Sequence, residues 1–282
     1  MLDAKTQPEP SRFLLAQANL SVPYIKPWPR VAKVSAISGL AGSRSHLQDG
    51  GTRALAVPCL AMLYVVATPI GNLGDITLRA LEVLKSADVI AAEDTRHSGI
   101  LLKHFQISKP FVSYHEHNEA MRTEQLAERL AAGENVALIT DAGMPGLSDP
   151  GARLIRECIK RELPFTIIPG PSSILTALVG SGFSMDKFCF RGFLPNKSGR
   201  RERELRAAVE REETTIFFES PYRLAKTLRA CVDLMPNRPL CVARELTKKF
   251  EEFRHGIAAE LLAHYEARPP KGEIVLVVSD KS

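Results

Sequence analysis

Several loops of this chain carry polar side chains directly after apolar runs. The richest is Thr140–Gly151, which places Asp141 and Asp149 among glycines and prolines and follows the apolar run Val136–Ile139. A buried strand that leads into such a loop and then into a helix puts ligand-binding backbone at the carboxyl end of a sheet, where open α/β folds bind small molecules. This loop therefore predicts the position of the main functional site.

A second loop, Ala91–Arg96, leaves its apolar run with Glu93, Asp94 and Arg96. Two carboxylates beside a hydroxyl and a guanidinium could serve a reaction. The structural alternative is that Asp94 caps the following helix and that Arg96 pairs with Glu93. The residue types alone leave both readings open.

The segment Tyr114–Asn118 contains His115 and His117, which resembles the start of a metal site. The sequence offers no third ligand beside these two side chains. We therefore predict no metal, and we expect one histidine to bind a polar edge of a substrate.

Two more loops have the same position after a strand, Thr68–Asp75 and Pro169–Ser173. The first lacks both the dinucleotide and the P-loop glycine patterns, and a tight turn capped by Asp75 or Thr77 is its structural alternative. The second opens a helix, whose free N–H groups favour anions.

The start of a later helix is basic and is a candidate for contacts with RNA phosphates. A charged face exposed to solvent is the simpler interpretation. The basic residues are Lys197, Arg200, Arg201 and Arg203.

Strands and helices must alternate to bring these loops together. The pattern predicts strands at 63–67, 88–92, 111–113, 136–140 and 164–168 with helices between them, which is typical of a mostly parallel sheet covered on both faces. A second set of α/β elements follows, and its strands could pair antiparallel. These strands are predicted at 187–192, 215–218, 239–243, 250–255 and 273–278. We predict two α/β domains, residues 62–183 and 187–279.

Bulk properties exclude several classes of protein. Of the net charge of +5, residues 1–61 contribute +4 from seven basic and three acidic side chains, so the remainder is nearly neutral. Those residues lack hydrophobic periodicity, and we predict a disordered extension, with Met62 as an alternative start of translation. The five cysteines are widely spaced, which favours free thiols in a reducing compartment. The longest apolar run, Ala54–Ala67, is too short to span a bilayer, so we expect a cytoplasmic protein.

Seven motifs, in order from about residue 62 to 279, together resemble one family. The chain is similar to the ribosomal RNA small-subunit 2′-O-ribose methyltransferases of the tetrapyrrole methylase superfamily, which act on a decoding-centre cytidine. Met144 departs from the family pattern, which usually has Thr there. The motifs are V-x-T-P-I-G-N-L-x-D-I-T-x-R-A (66–80), A-A-E-D-T-R-H (91–97), D-A-G-x-P-G-x-S-D-P-G (141–151), P-G-P-S (169–172), G-F-L-P-x-K (192–197), A-R-E-L-T-K (243–248) and K-G-E-x-V-L (271–276).

The resemblance implies that S-adenosylmethionine binds in a cleft between two α/β domains. It also implies a small-subunit (16S) ribosomal RNA partner and a homodimer, since dimers are common in the superfamily. By resemblance, the cofactor-binding positions are Pro69, Ile70, Gly71, Asp141, Ala142, Gly143, Pro145, Pro169, Gly170, Ser172, Phe218, Ala243, Arg244, Glu245, Leu246 and Gly272.

A ribose hydroxyl is a poor nucleophile at neutral pH, so this reaction needs a positioned base. Our first candidates are Glu93 and Asp94, followed by His115 and Asp149, with Arg96 orienting a carboxylate or a phosphate. Two alternatives remain: carbon methylation of a corrin or porphyrin precursor, and a non-catalytic RNA-binding assembly factor built on the same scaffold.

Overall fold

The computed structural model describes residues 61–281 of the 282-residue chain, all within one compact unit. The predicted extension lies outside the described residues, apart from its last residue. Each of the ten strands that the sequence predicts is present, with ends that differ by at most about two residues, and helices lie between them as expected. The α/β prediction is therefore confirmed.

The first sheet is parallel throughout and has the order β3-β2-β4-β1-β5. Its strands β1, β2 and β4 are fully buried, as continuous apolar runs require. The strands are β1 (Leu63–Val66), β2 (Val89–Ala92), β3 (Phe111–Ser113), β4 (Val136–Ile139) and β5 (Phe165–Ile168). The helices are α1 (Leu78–Ser86), α2 (Thr95–His104), α3 (Glu119–Ala131), α4 (Ala152–Lys160) and α5 (Ser173–Ser181).

Helices cover both faces of this sheet. Val66 packs with residues of α1 and α2, such as Leu84 and Leu102, whereas Val65 packs with residues of α3 and α4, such as Leu126. Alternate residues of one strand thus serve two separate cores, and the carboxyl ends of the strands stay free for the loops.

The second sheet is mixed, with the order β6-β7-β10-β8-β9, and only β6 and β7 are parallel. One face packs against α6, α7 and α8. The other face packs against α5, whose Ile174, Ala177 and Leu178 share a core with Ile216 and Val275. The elements are β6 (Phe188–Phe193), α6 (Ser198–Glu210), β7 (Thr214–Glu219), α7 (Leu224–Leu234), β8 (Leu240–Arg244), β9 (Glu252–Gly256), α8 (Ala258–Ala267) and β10 (Ile274–Val278).

The cysteines of residues 61–281 are free thiols. Cys158, Cys231 and Cys241 are buried and Cys189 is half-buried, whereas Cys59 lies outside the described residues. Within the same residues, no helix combines the length and the apolar character needed to cross a membrane.

Candidate active site

The loops after β1 and β4 form one continuous wall. The two strands pair in parallel, with Leu63 opposite Val136, and the loops stay joined beyond them. Thr68 N donates to Gly143 O at 2.9 Å, and Gly143 N donates back to Thr68 O at 3.1 Å. The Thr68 hydroxyl also donates to the Thr140 carbonyl at 3.0 Å. These bonds fix the two predicted loops against each other.

The facing wall comes from the second sheet. Because β10 is antiparallel to both β7 and β8, its first residue, Ile274, pairs with their last residues, Glu219 and Arg244. The loop before β10 therefore lies beside the loops that follow β7 and β8. Gly272 in that loop has φ +85°, and a Cβ there would lie 2.1 Å from Glu245 Oε1. Only glycine permits this approach.

A cavity of about 380 Å³ lies between the two walls. Its lining is mostly apolar with a few polar groups, which is typical of small-molecule sites. The base candidate Asp149 lies on its wall. Seven predicted cofactor residues also line it, namely Ile70, Ala142, Gly143, Ser172, Phe218, Leu246 and Gly272.

Other predicted cofactor residues lie elsewhere. Pro69, Gly71 and Asp141 line a second cavity of about 280 Å³. The remaining six line neither cavity and belong to the supporting loops and strands: Pro145, Pro169, Gly170, Ala243, Arg244 and Glu245. Arg244 Nε, for example, donates to Glu252 at 3.1 Å, and Glu245 accepts from Lys248 Nζ at 3.0 Å.

Sequence reasoning missed several residues of the main cavity. Phe193, Ile174 and Ile274 line it, and the Phe193 ring meets the Phe218 ring with centroids 5.2 Å apart. Ile174 and Ile274 lie in ordinary apolar segments, so their types carry no signal of a site, whereas Phe193 belongs to the motif G-F-L-P-x-K, which could have indicated it. Met144, where the family pattern has Thr, also lines the cavity and packs against the core that contains α3 and α4.

An acidic cluster lies at the ends of β2 and β4. The Thr140 hydroxyl donates to Glu93 Oε2 at 2.6 Å and lies near the Asp149 carboxylate. Burial, and then the charge of Glu93, raises the pKa of Asp149 to about 6. Burial also raises the pKa of Asp141, whose Oδ1 accepts from Asp94 N at 3.2 Å. The structure thus brings together Glu93, Asp141 and Asp149 around Thr140.

Asp94 and Arg96 have a different arrangement. Asp94 is the N-cap of α2, and its carboxylate accepts from Arg96 N at 2.8 Å. Arg96 Nη2 lies 2.7 Å from Asp94 Oδ2, so the partner of this arginine is not Glu93. Hydrogen bonds from Arg96 hold the pKa of Asp94 well below its usual range. So weak a base is poorly suited to accept a proton. The geometry favours the structural alternative for Asp94, which caps α2, whereas Arg96 pairs with Asp94 and not with Glu93.

His115 lies apart from both cavities. Its Nε2 lies 3.1 Å from Asn118 Nδ2, while its buried Nδ1 has no hydrogen-bond partner among the described residues. His117 lies next to it, with ring centroids 6.0 Å apart. Within residues 61–281, no group of three or more His, Cys, Asp or Glu side chains could hold a metal ion.

The four basic residues near the start of α6 differ in burial. Lys197, Arg200 and Arg203 are exposed near the start of α6. Arg201 is only 8% exposed, and its Nη1 donates to the Asn196 carbonyl at 3.4 Å. In this conformation Arg201 is therefore not available to a phosphate, unlike the other three predicted RNA contacts.

Comparisons with known proteins agree with this architecture. Residues 62–262 match the family model described as Tetrapyrrole (Corrin/Porphyrin) Methylases. The chain is 43% identical to "Ribosomal RNA small subunit methyltransferase I" of Thermotoga maritima, over 79% of this chain and 100% of that protein. It is 50% identical to the Mesorhizobium japonicum protein of the same name, over 81% of this chain and 79% of that protein.

Two solved structures are similar in fold. The methyltransferase CobJ superposes with a TM-score of 0.60 at 17% identity, over 78% of this chain and 94% of that one. Uroporphyrin-III-C-methyltransferase from Thermus thermophilus superposes with a TM-score of 0.57 at 22% identity, over 78% of this chain and 94% of that one.

Proposed function

The chain belongs to the tetrapyrrole methylase family, and we propose that it transfers a methyl group from S-adenosylmethionine to the ribose 2′-oxygen of a cytidine in small-subunit (16S) ribosomal RNA, at the decoding centre. One observation carries the choice of substrate. Relatives named as small-subunit ribosomal RNA methyltransferases are 43% to 50% identical over most of both chains. The structures that share only the fold leave the acceptor open, because fold does not fix function.

The main cavity fits the cofactor of this family. Its volume of about 380 Å³ lies in the range of small-molecule sites. Phe218, Leu246 and Ile274 offer apolar surface for an adenine, and Asp149 and Glu273 give the lining a negative charge that suits a cationic ligand. We assign binding of S-adenosylmethionine to the seven predicted residues on this wall. When bound, it supplies a methyl group on a positively charged sulfur that leaves with the bonding electrons as a thioether.

The protein must align the ribose hydroxyl and take its proton. Glu93 and Asp149 are the carboxylates placed for this task, because Glu93 accepts from the Thr140 hydroxyl and Asp149, which feels the charge of Glu93, lines the main cavity. A raised pKa brings Asp149 closer to neutral pH, where a general base is most effective. We assign the base to this pair of carboxylates. The proton passes from the 2′-oxygen to a carboxylate as the new oxygen–carbon bond forms.

We assign RNA binding to the exposed cations at the start of α6. Lys197, Arg200 and Arg203 can contact phosphates, which fix the position of an RNA without reading its sequence. The described part of the chain has no helix suited to a membrane. A cytoplasmic location follows from the proposed substrate, since ribosomes are cytoplasmic.

We also propose a homodimer. Strand β5 is an edge of the first sheet, and its Phe165 and Ile167 are exposed on one face. On the next helix, Leu175 and Val179 are exposed one turn apart. An exposed apolar edge strand is prone to pair with another chain, and a second copy of this chain is the partner that we assign to it.

A comparison of two methyl acceptors, RNA and a tetrapyrrole, tests this function. Protein with methyl-labelled S-adenosylmethionine is given either unmodified small ribosomal subunits or a carboxylated tetrapyrrole precursor. We expect label in the RNA and none in the tetrapyrrole. Label in the tetrapyrrole alone would contradict the proposal, as would cofactor binding without any methyl transfer.

A further inference from the structure

The second cavity lies on the opposite side of the loops that line the first one. Ile70 faces the main cavity, while its neighbours Pro69 and Gly71 face the second. In the same way, Ala142 faces the main cavity and Asp141 faces the second. Neighbouring residues of the same two loops, those after β1 and β4, thus line the two cavities.

A buried hydroxyl in the second cavity lacks a partner. Ser98, in the first turn of α2, is 2% exposed and lines this cavity. Its Oγ makes no hydrogen bond to any other group of the described residues. A buried hydroxyl without a partner is costly in free energy, and such groups are rare in folded proteins. A ligand that hydrogen-bonds Ser98 removes this cost.

The rest of the lining is suited to a planar base. Leu73, Ile100 and Leu101 supply apolar surface. Asp141 supplies a carboxylate, of which Oδ1 accepts only a 3.2 Å bond from Asp94 N, so acceptor capacity remains. A hydroxyl donor and a carboxylate acceptor beside apolar side chains match the edge of a pyrimidine that carries both an acceptor and an amino donor.

The residues proposed for proton transfer lie beside the second cavity. Thr140 lines the second cavity and donates to Glu93, while Asp149 lines the main one. The carboxylate pair therefore lies at the boundary between the two cavities. Asp149, which lines the main cavity, is the member of this pair that a bound ribose can contact directly.

We propose that the second cavity receives the pyrimidine base of the nucleotide to be methylated, turned out of its RNA, with Ser98 and Asp141 at its polar edge. This inference rests on the proposed function, since it takes the main cavity as the cofactor site. Enzymes that modify a nucleotide commonly extrude it into a pocket, and unpaired bases are the usual targets of RNA recognition.

Two substitutions test the pocket. Ile100 is 64% exposed at the rim, so Ile100→Trp adds bulk where the fold tolerates it, and Ser98→Ala removes the unpartnered hydroxyl. Leu78→Trp is the matched control, because Leu78 is exposed and lines neither cavity. For each protein, the Kd for S-adenosylhomocysteine is measured by calorimetry. The KM and kcat are measured with unmodified small subunits and saturating S-adenosylmethionine.

We expect Ile100→Trp to raise the KM for subunits about tenfold or more. Ser98→Ala should raise it about three- to tenfold, the range expected for one lost hydrogen bond. Both should keep the wild-type Kd for S-adenosylhomocysteine within about twofold, and Leu78→Trp should change neither constant.

Three results would overturn the inference, and they are distinguishable. A tenfold weaker Kd for S-adenosylhomocysteine in Ile100→Trp would show that the second cavity belongs to the cofactor. Unchanged KM and kcat in both variants would show that the RNA does not use it. Wild-type protein that binds S-adenosylhomocysteine but labels no ribose would contradict the proposed function itself, and the pocket assignment would fall with it.

Discussion

The Thr140 hydroxyl donates a 2.6 Å hydrogen bond to Glu93 Oε2 and so joins the ends of the neighbouring strands β4 and β2. Asp149 lies near the same hydroxyl. A hydroxyl has a single proton, and here Thr140 gives it to Glu93. The negative charge of Glu93 in turn helps to raise the pKa of Asp149, and the two carboxylates are the groups that we assign to accept the ribose proton.

The first prediction concerns Glu93. Glu93→Gln keeps the shape of the side chain and can still accept from Thr140, but it cannot act as a base. We expect turnover on unmodified small subunits to fall about 100-fold or more, the usual contribution of a general base. The Kd for S-adenosylhomocysteine should stay within about twofold, because Glu93 lines neither cavity.

The matched control is Asp94→Asn. Asparagine also caps helices well, so α2 should keep its start, and only the ion pair with the exposed Arg96 is lost. We expect a loss in turnover smaller than about tenfold, since exposed pairs contribute little. Equal losses in Glu93→Gln and Asp94→Asn would contradict the assignment of the base to Glu93.

The second prediction is a pH dependence of stability. Burial and the charge of Glu93 raise the pKa of Asp149 to about 6 from an ordinary value of 3.8. Between these values the folded protein holds a proton that the unfolded chain has released, so this group lowers stability as pH rises through the window. Above about pH 6 the cost is complete.

Asp149→Asn removes that cost. Relative to wild type, the variant should therefore gain in Tm on going from about pH 4 to about pH 7.5. Thermal unfolding followed by circular dichroism at both pH values measures the difference. If the difference in Tm between Asp149→Asn and wild type is the same at both pH values, Asp149 does not have the raised pKa that the structure indicates.

The third prediction uses two glycines with positive φ. Gly272→Ala would place a Cβ against Glu245 on the wall of the main cavity, whereas Gly133, at φ +96°, has open space around it. Both changes should lower stability by about 1 kcal/mol, because alanine is strained at positive φ, and Gly272→Ala should lower it further, because its Cβ must displace the Glu245 side chain. Only Gly272→Ala should weaken S-adenosylhomocysteine binding, by about tenfold or more in calorimetry. Equal affinities in the two variants would show that the Gly272 loop does not take part in cofactor binding.

The fourth prediction concerns the edge strand β5. Ile167→Asp places a charge on the exposed apolar face that we assign to the dimer, and light scattering after size exclusion should then report a monomer. The control Ile159→Asp changes an exposed residue of α4 instead and should leave the dimer intact. A wild-type monomer, or a dimer that survives Ile167→Asp, would contradict this interface.

Local sequence patterns were sufficient to predict the strands and helices. The short apolar run Val136–Ile139, for example, lies between the polar residues Asn135 and Thr140 and forms a strand. The order of the second sheet could not be read in this way. β10 is inserted between β7 and β8, and such pairing depends on contacts between residues far apart in sequence, which no local pattern encodes.

Loop positions were also predictable, but side-chain partners were not. Arg96 pairs with Asp94 rather than with Glu93, and the choice between two adjacent carboxylates depends on the path of the backbone. Arg201 is a different case, because a signal was present. Arg201, Leu205 and Ala208 recur at helical spacing and share the buried face of α6, so the period indicates that this arginine points inward.

The most direct test of the central claim is the chemical position of the transferred methyl group. Small subunits that lack the modification are incubated with the protein and methyl-labelled S-adenosylmethionine, and the RNA is digested to nucleosides and separated. The account predicts that the label elutes as 2′-O-methylcytidine, and that Glu93→Gln protein gives far less of it. Label on a base, or on a nucleoside other than cytidine, would contradict the assignment.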